Sequence, residues 1–283
     1  MRQTVREMGS TNGLTGIGVW VTRPSHQAEP LAKRVERLGG QAVRLPVIAI
    51  TDVAQPQAVI AIVDRLERFD LAIFVSANAV RQGLRYVSRR NNRFENWAPE
   101  DWPEKVQIAA IGKATAKTLA VAGLSCAFEP SAPYNSEALL AVSALQKDMI
   151  IGRRVLIFRG VGGRTLLGDT LAARAAKVEY ADVYQRTLPP WRQTIAIPWQ
   201  SIQVIVVTST EGLENLFAIV HESEHQRLCE TPFVVISQRM VEVARRLGIK
   251  NSPIFADNAS DDGILDALLN WADKRNNLNP AIR

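Results

Sequence analysis

Gly18-Val19-Trp20-Val21-Thr22-Arg23-Pro24 is an apolar run that stops at a hydroxyl, a cation and a proline. Beyond it Ala28, Leu31, Ala32, Val35 and Leu38 recur at i, i+3, i+4, i+7 and i+10, one face of a helix, until Gly39-Gly40 stops it. A buried strand, a polar turn and an amphipathic helix form the unit of a parallel-sheet α/β protein. The unit recurs outward along the chain. A strand containing proline is expected over Val43 to Ile50. Leu71 to Val75 and Ile108 to Ile111 read as strands, with helices over Ala77 to Tyr86 and Ala114 to Ala122. Val155 to Phe158, Val204 to Val207 and Val234 to Ile236 are further strands, with helices over Leu166 to Ala173, Leu213 to Val220 and Met240 to Leu247. Ile264, Leu265, Leu268 and Leu269 mark a last helix. Asn91 to Glu104 is polar, with Trp97, Trp102 and two prolines, and reads as an irregular insertion.

The strand-to-helix turns repeat in order. Val21-Thr22-Arg23-Pro24 is echoed by Phe158-Arg159-Gly160, Val75-Ser76-Ala77-Asn78 by Thr208-Ser209-Thr210-Glu211, and Ile111-Gly112-Lys113-Ala114 by Ile236-Ser237-Gln238-Arg239. Two related α/β lobes are expected. In open parallel sheets ligands bind outside the carboxyl ends of the strands, where helix N–H groups and dipoles favour anions. Thr22, Ser76, Thr115, Thr208, Ser209 and Ser237 supply hydroxyls at these turns, and Arg23 and Arg159 supply charge. Hydroxyls in such turns also serve as plain N-caps, so each residue alone is ambiguous and the recurrence is what points to an anionic ligand.

The 283 residues suit about two domains at ~150 residues each. A content of 47% hydrophobic and 22% charged residues excludes a disordered chain. No apolar run approaches the ~20 residues of a membrane span, and residues 1–16 lack the apolar core of a secretory signal. They read as a frayed leader, and the cytoplasm is the expected compartment. The net charge of +6 suits a polyanionic partner, but the basic spots at Arg85 to Arg93 and Arg245-Arg246 are short and sit at helix ends, so nucleic acid is not expected. Cys126, in an expected buried strand, and Cys229 read as small core residues. His221 and His225 would share a face on one helix, but no third metal ligand accompanies them, and a solvated helix end is the preferred reading. Gly160-Val161-Gly162-Gly163 fits neither phosphate-binding glycine pattern, and no carboxylate pair or Ser-His-Asp set is legible. The residues thus indicate an acidic ligand without an evident acid–base device.

The ordered set of turns resembles the uroporphyrinogen-III synthase family. Its pieces are Val19-Trp20-Val21-Thr22-Arg23-Pro24 with Gln27-Ala28, Leu45-Pro46-Val47-Ile48, Phe74-Val75-Ser76-Ala77-Asn78-Ala79-Val80 and Ala110-Ile111-Gly112-Lys113-Ala114-Thr115-Ala116. Glu129-Pro130, Ser136-Glu137-Ala138-Leu139-Leu140, Arg159-Gly160, Val183-Tyr184-Gln185-Arg186-Thr187, Val207-Thr208-Ser209 and Ile236-Ser237-Gln238-Arg239 complete it, from about Gly18 to Trp271. Val75 stands where the family often has threonine, and Ser237-Gln238-Arg239 departs from a glycine-first turn.

The resemblance implies two flavodoxin-like parallel-sheet α/β lobes, one discontinuous in sequence, joined by a two-stranded connection. The first lobe would be 17–47 plus 188–283, the second 52–182, and the connection 48–51 with 183–187. Periodicity alone would instead divide the chain near Asp148. The residues themselves give no expectation of metal, nucleic acid or membrane, and the resemblance further implies a cofactor-free lyase. It would cyclise hydroxymethylbilane to uroporphyrinogen III in tetrapyrrole (haem) biosynthesis. The last pyrrole ring is inverted through an azafulvene and a spiro intermediate, in a cleft between facing lobes. Tyr184 matches the family tyrosine placed to assist departure of the hydroxyl, and Thr115 a family threonine facing the cleft. Thr22, Arg23, Ser76, Thr115, Arg159, Gly160, Thr208, Ser209 and Ser237 are the expected substrate-binding residues. A monomer is expected, with transient contact to hydroxymethylbilane synthase as a possible handover. The competing readings are a non-catalytic module of the same fold that binds an acidic tetrapyrrole, and an unrelated flavodoxin-like enzyme for a phosphorylated substrate.

Overall fold

The computed structural model of the chain describes residues 13–90, 97–258 and 260–278. In chain order, β1 (Gly18–Val21), α1 (Ser25–Arg37) and β2 (Gln41–Arg44) come first. The elements β3 (Ala49–Thr51), α2 (Pro56–Val63), β4 (Leu71–Phe74), α3 (Ala77–Arg90), β5 (Gln107–Ala110) and α4 (Lys113–Val121) follow. Next are α5 (Ser136–Leu140), α6 (Lys147–Ile150), β6 (Arg154–Gly160), α7 (Leu166–Ala173) and β7 (Lys177–Thr187). The chain ends with β8 (Val204–Val206), α8 (Thr210–Ile219), α9 (His225–Glu230), β9 (Phe233–Val235), α10 (Gln238–Arg246), β10 (Ile254–Phe255) and α11 (Asp261–Leu278).

These elements form two compact units. One holds the chain up to Ala49 together with Thr187 onward, and the other holds Ile50–Arg186. The chain passes from one unit to the other at 49/50 and at 186/187. Each unit has its own five-stranded sheet, β10-β9-β8-β1-β2 in the first and β3-β7-β6-β4-β5 in the second. The first lobe is discontinuous because β1 sits in mid-sheet, paired in parallel with β2 on one side and β8 on the other, with Trp20 level with both Val43 and Ile205. β3 and β7 are neighbours in the second sheet.

The strands read as unbroken apolar runs because both faces are covered. In the first unit Trp20 and Ile205 point into one core with Phe233 and Leu213, while Val19, Val21 and Val204 point into the other with Leu31 and Leu268. In the second unit Phe74 and Phe158 lie in one core and Leu71 and Ile73 in the other. Phe74 and Phe158 stack with centroids 4.5 Å apart. Gly39 ends α1 with φ +82°, a left-handed value that favours glycine, and donates its N–H to Glu36 O.

Several elements differ from the sequence expectation. The strand over Val43 to Ile50 is two strands in two sheets, broken at 45–48 around Pro46, which has no N–H for a ladder. The break is held by outside partners: Trp20 Nε1 donates to Leu45 O, Trp191 Nε1 to Pro46 O and Asn215 Nδ2 to Val47 O. Of the expected leader, residues 1–12 lie outside the described residues. Leu14 does not behave as leader: it is fully buried, and its N–H donates to Leu38 O. Of the insertion, residues 91–96 lie outside the described residues, while Trp97 and Trp102 anchor the rest through indole bonds to Ala122 O and Val106 O. Cys126 is not in a strand; the segment makes one isolated bridge, Ala109 with Phe128. His221 caps a short 3-10 turn and His225 starts α9, so they do not share a helical face.

Candidate functional site

The carboxyl ends of β7, β6, β4 and β5 bring Tyr184, Gly160, Ser76 and Thr115 to one edge of the second sheet. Tyr184 and Gly160 are register partners, just beyond a register shift in β6, and Val161 N–H donates to Tyr184 O. The Tyr184 ring lies over Gly160. A Cβ at residue 160 would sit 2.7 Å from ring atoms and 3.0 Å from the phenol oxygen, so only glycine lets the ring pass. The phenol reaches 3.2 Å from Ser76 Oγ, which also accepts the Ala79 N–H at 3.0 Å as the cap of α3. Tyr184 is 2% exposed. When the phenol donates to Ser76, the serine hydrogen is free to donate onward. Thr115, 3% exposed, occupies the first turn of α4 beyond Gly112.

Arg159 is held within this edge. Its Nε donates to Asp182 Oδ1 at 2.8 Å, its NH1 donates to Gly163 O, and its guanidinium lies 3.7 Å above the Tyr180 ring centroid. Its charge is balanced locally.

The first sheet gathers Thr22, Arg23, Thr208, Ser209 and Ser237 at the corresponding edge. Thr22 is buried and donates its hydroxyl hydrogen to Val206 O at 2.7 Å, tying β1 to β8. Arg23 pairs with Asp261 at the start of α11. Ser209 accepts Gly212 N–H and Ser237 accepts Met240 N–H, as helix caps. Thr208 is half-buried just before the Ser209 cap. Ser76, Ser209 and Ser237 thus share one role as local caps, which accounts for much of the repeat between the lobes.

The helix ends carry a second signal. Acidic side chains favour a helix N-terminus, where they offset the positive end of the dipole. The first turns of α1, α3, α4 and α10 contain none. These helices follow β1, β4, β5 and β9 directly, and the leading N–H groups of a helix have no acceptor within it. Both sheet edges therefore present positive ends without internal counter-charge, an arrangement suited to carboxylates. The helices after β8 and β6 differ, with Glu211 and Asp169 in their first turns.

Among the described residues no group of three or more His, Cys, Asp or Glu side chains is arranged to hold a metal ion. Burial pushes the Cys126 thiol up to about 11 and raises that of Cys229 as well, so both resist forming thiolate. The partners Asp182 and Asp261 were not evident from sequence. Asp182 lies two residues before Tyr184 with no pattern to mark it, and Asp261 is 238 positions from Arg23.

The description "Uroporphyrinogen-III synthase HemD" belongs to the family model that matches residues 29–266. The chain is 34% identical to the uroporphyrinogen-III synthase of Escherichia coli K12 over 257 residues, 89% of this chain and 100% of that protein. It is 33% identical to the Salmonella typhimurium enzyme of the same name, with 89% and 100% covered. Among solved structures it is similar to a mutant uroporphyrinogen III synthase from Thermus thermophilus, with TM-score 0.56, 17% identity and 92% and 99% of the two chains covered. The uroporphyrinogen-III synthetase of Helicobacter pylori 26695 matches at TM-score 0.55 and 14% identity, covering 90% and 99%. The two-lobed α/β fold is thus shared with these structures, and with a relative 34% identical across its whole length, the chain belongs to the uroporphyrinogen-III synthase family.

Proposed function

We propose that the protein is a cyclising hydro-lyase that converts hydroxymethylbilane to uroporphyrinogen III in tetrapyrrole biosynthesis. The observation that carries the reading is the Tyr184 phenol, passed over Gly160 to Ser76 at a sheet edge whose helix ends lack acidic residues.

In this reading each unit by itself offers carboxylate-binding N–H groups, those of α1 and α10 with Thr208 in the first unit and those of α3 and α4 with Thr115 in the second. Ser209 and Ser237 hold their turns, and the Arg23–Asp261 and Arg159–Asp182 pairs keep neighbouring turns in shape. Departure of the terminal hydroxyl is assisted by the Tyr184–Ser76 pair, Tyr184 donating to Ser76 and Ser76 donating to the leaving oxygen. The hydroxyl carbon becomes an electrophilic azafulvene as the pyrrole nitrogen supplies its electron pair. The substituted carbon of the last ring attacks it, giving a spiro intermediate. That intermediate fragments and recombines with the ring inverted. Ring closure returns the proton that the departing water took up, so the net change is loss of one water. Holding one folded shape of a reactive chain and stabilising the departing oxygen are tasks of positioning and electrostatics. General-acid assistance of this kind contributes typically ~10²–10⁴-fold.

The same reading makes the protein a cytoplasmic monomer acting without a cofactor, and its unstable substrate favours transient contact with hydroxymethylbilane synthase. Anaerobic turnover tests it: bilane loss above the spontaneous rate, with release of the type III isomer, is expected. Binding of an acidic tetrapyrrole without acceleration would instead make the protein a non-catalytic module of this fold.

A further inference from the structure

The two arginines at the strand ends are each matched to an aspartate, Arg23 to Asp261 and Arg159 to Asp182, so neither brings unbalanced charge to a polycarboxylate. Lys113 differs. It is exposed and is the first residue of α4, whose first turn holds no acidic side chain. A cation there stands against the helix dipole, an unfavourable place unless an anion joins it. The Tyr134 side chain, phenol included, is the leading influence on Lys113; Glu129 acts on it only at a distance, and no described carboxylate forms an ion pair with it.

The lysine is also positioned. Its Nζ lies 5.3 Å from the centroid of the Tyr134 ring. That ring packs onto the turn because residue 112 is glycine: a Cβ there would be 2.6 Å from Tyr134 Cβ. Tyr134 is 41% exposed, so its face steers the ammonium without covering it. Beside them Thr115 is 3% exposed, and no hydrogen bond joins its hydroxyl to another described residue.

We propose that Lys113, steered by Tyr134, binds a substrate carboxylate at the N-terminus of α4, next to Thr115. Lys113 supplies charge, the helix supplies N–H groups and Thr115 supplies a hydroxyl. Tyr134 is a positioning residue. This assignment rests on the polycarboxylate substrate proposed above.

Lys113→Met, Lys113→Arg and Tyr134→Ala test it, with KM and kcat for hydroxymethylbilane measured beside calorimetric affinity for oxidised uroporphyrin III. Lys113→Met should raise KM and weaken porphyrin binding by about 3- to 10-fold, with kcat and thermal midpoint little changed. Lys113→Arg should restore most of the affinity, and the loss should shrink at high salt. Tyr134→Ala should give part of the same loss. Unchanged KM and porphyrin affinity in Lys113→Met, in a preparation that still makes the type III isomer, would overturn the assignment. Failure of the wild-type protein to make that isomer would remove the synthase reading instead, and the porphyrin titration would still decide whether Lys113 binds carboxylates.

Discussion

Tyr184 and Ser76 hold their hydroxyl oxygens 3.2 Å apart although β7, which carries Tyr184, and β4, which leads into the Ser76 turn, are not neighbours; β6 runs between them. The phenol crosses β6 at Gly160, the place where a side chain would block it. The buried tyrosine thus reaches the rim of the sheet through a serine that is fixed in turn by capping α3.

The proposed role of the two hydroxyls as one donor predicts that their removal is not additive. Tyr184→Phe and Ser76→Ala should each lower kcat by about 10- to 100-fold with little change in KM. The double variant should be little worse than the poorer single one. Steady-state kinetics on all three check this, and independent, multiplying losses would show that the hydroxyls act separately.

Gly160→Ala should be more harmful than its size suggests. The added methyl meets the ring 2.7 Å away and forces Tyr184 off its path to Ser76. A cost of about 1–3 kcal/mol in stability is expected from overpacking, together with a kcat loss at least equal to that of Tyr184→Phe. Urea unfolding and kinetics on one preparation measure both.

The Arg23–Asp261 pair ties the turn after β1 to the start of α11, with side chains only 10% and 24% exposed. Asp261 is the carboxylate that faces the largely buried Arg23 guanidinium. Asp261→Asn should cost about 1–3 kcal/mol, and the Arg23→Met/Asp261→Asn double variant should recover part of that. A double-mutant cycle by chemical denaturation reads the coupling.

Cys126 should be slow to alkylate. Its thiol is about half-buried and pushed up to about 11, and the thiolate is the reactive form. With its pKa raised, the group stays protonated at pH 8, and its rate with iodoacetamide should keep climbing as pH rises toward 11. Mass spectrometry of timed reactions gives the profile; a plateau near pH 9 would contradict the burial.

The local elements were legible because their signals are local. The run Gly18 to Val21 and the spacing of Ala28, Leu31 and Val35 specify β1 and α1 without reference to the rest of the chain. The discontinuous lobe was not readable from periodicity, since nothing in β1 announces that it pairs with β8 across most of the sequence. Family resemblance supplied that link. Val43 to Ile50 reads as one strand because its apolar residues run through Pro46, and the proline alone does not say that the chain breaks there and resumes in another sheet. At the site the hydroxyls of the turns were visible, while their occupation was not. Thr22 hides its donor on Val206 O, and Arg159 is held by an aspartate of the neighbouring strand. The lack of acidic residues in four helix first turns was present in the sequence and becomes informative only once the strand ends that precede those helices are known.

The most direct measurement is the isomer composition of the product. Hydroxymethylbilane generated in situ closes unaided to the uninverted type I ring, so the type III share reports catalysed inversion alone. The expected result is a type III share that rises with wild-type protein concentration toward completeness and falls back toward type I with Tyr184→Phe. Type I product alone, formed at the spontaneous rate whatever the protein concentration, would contradict the synthase reading.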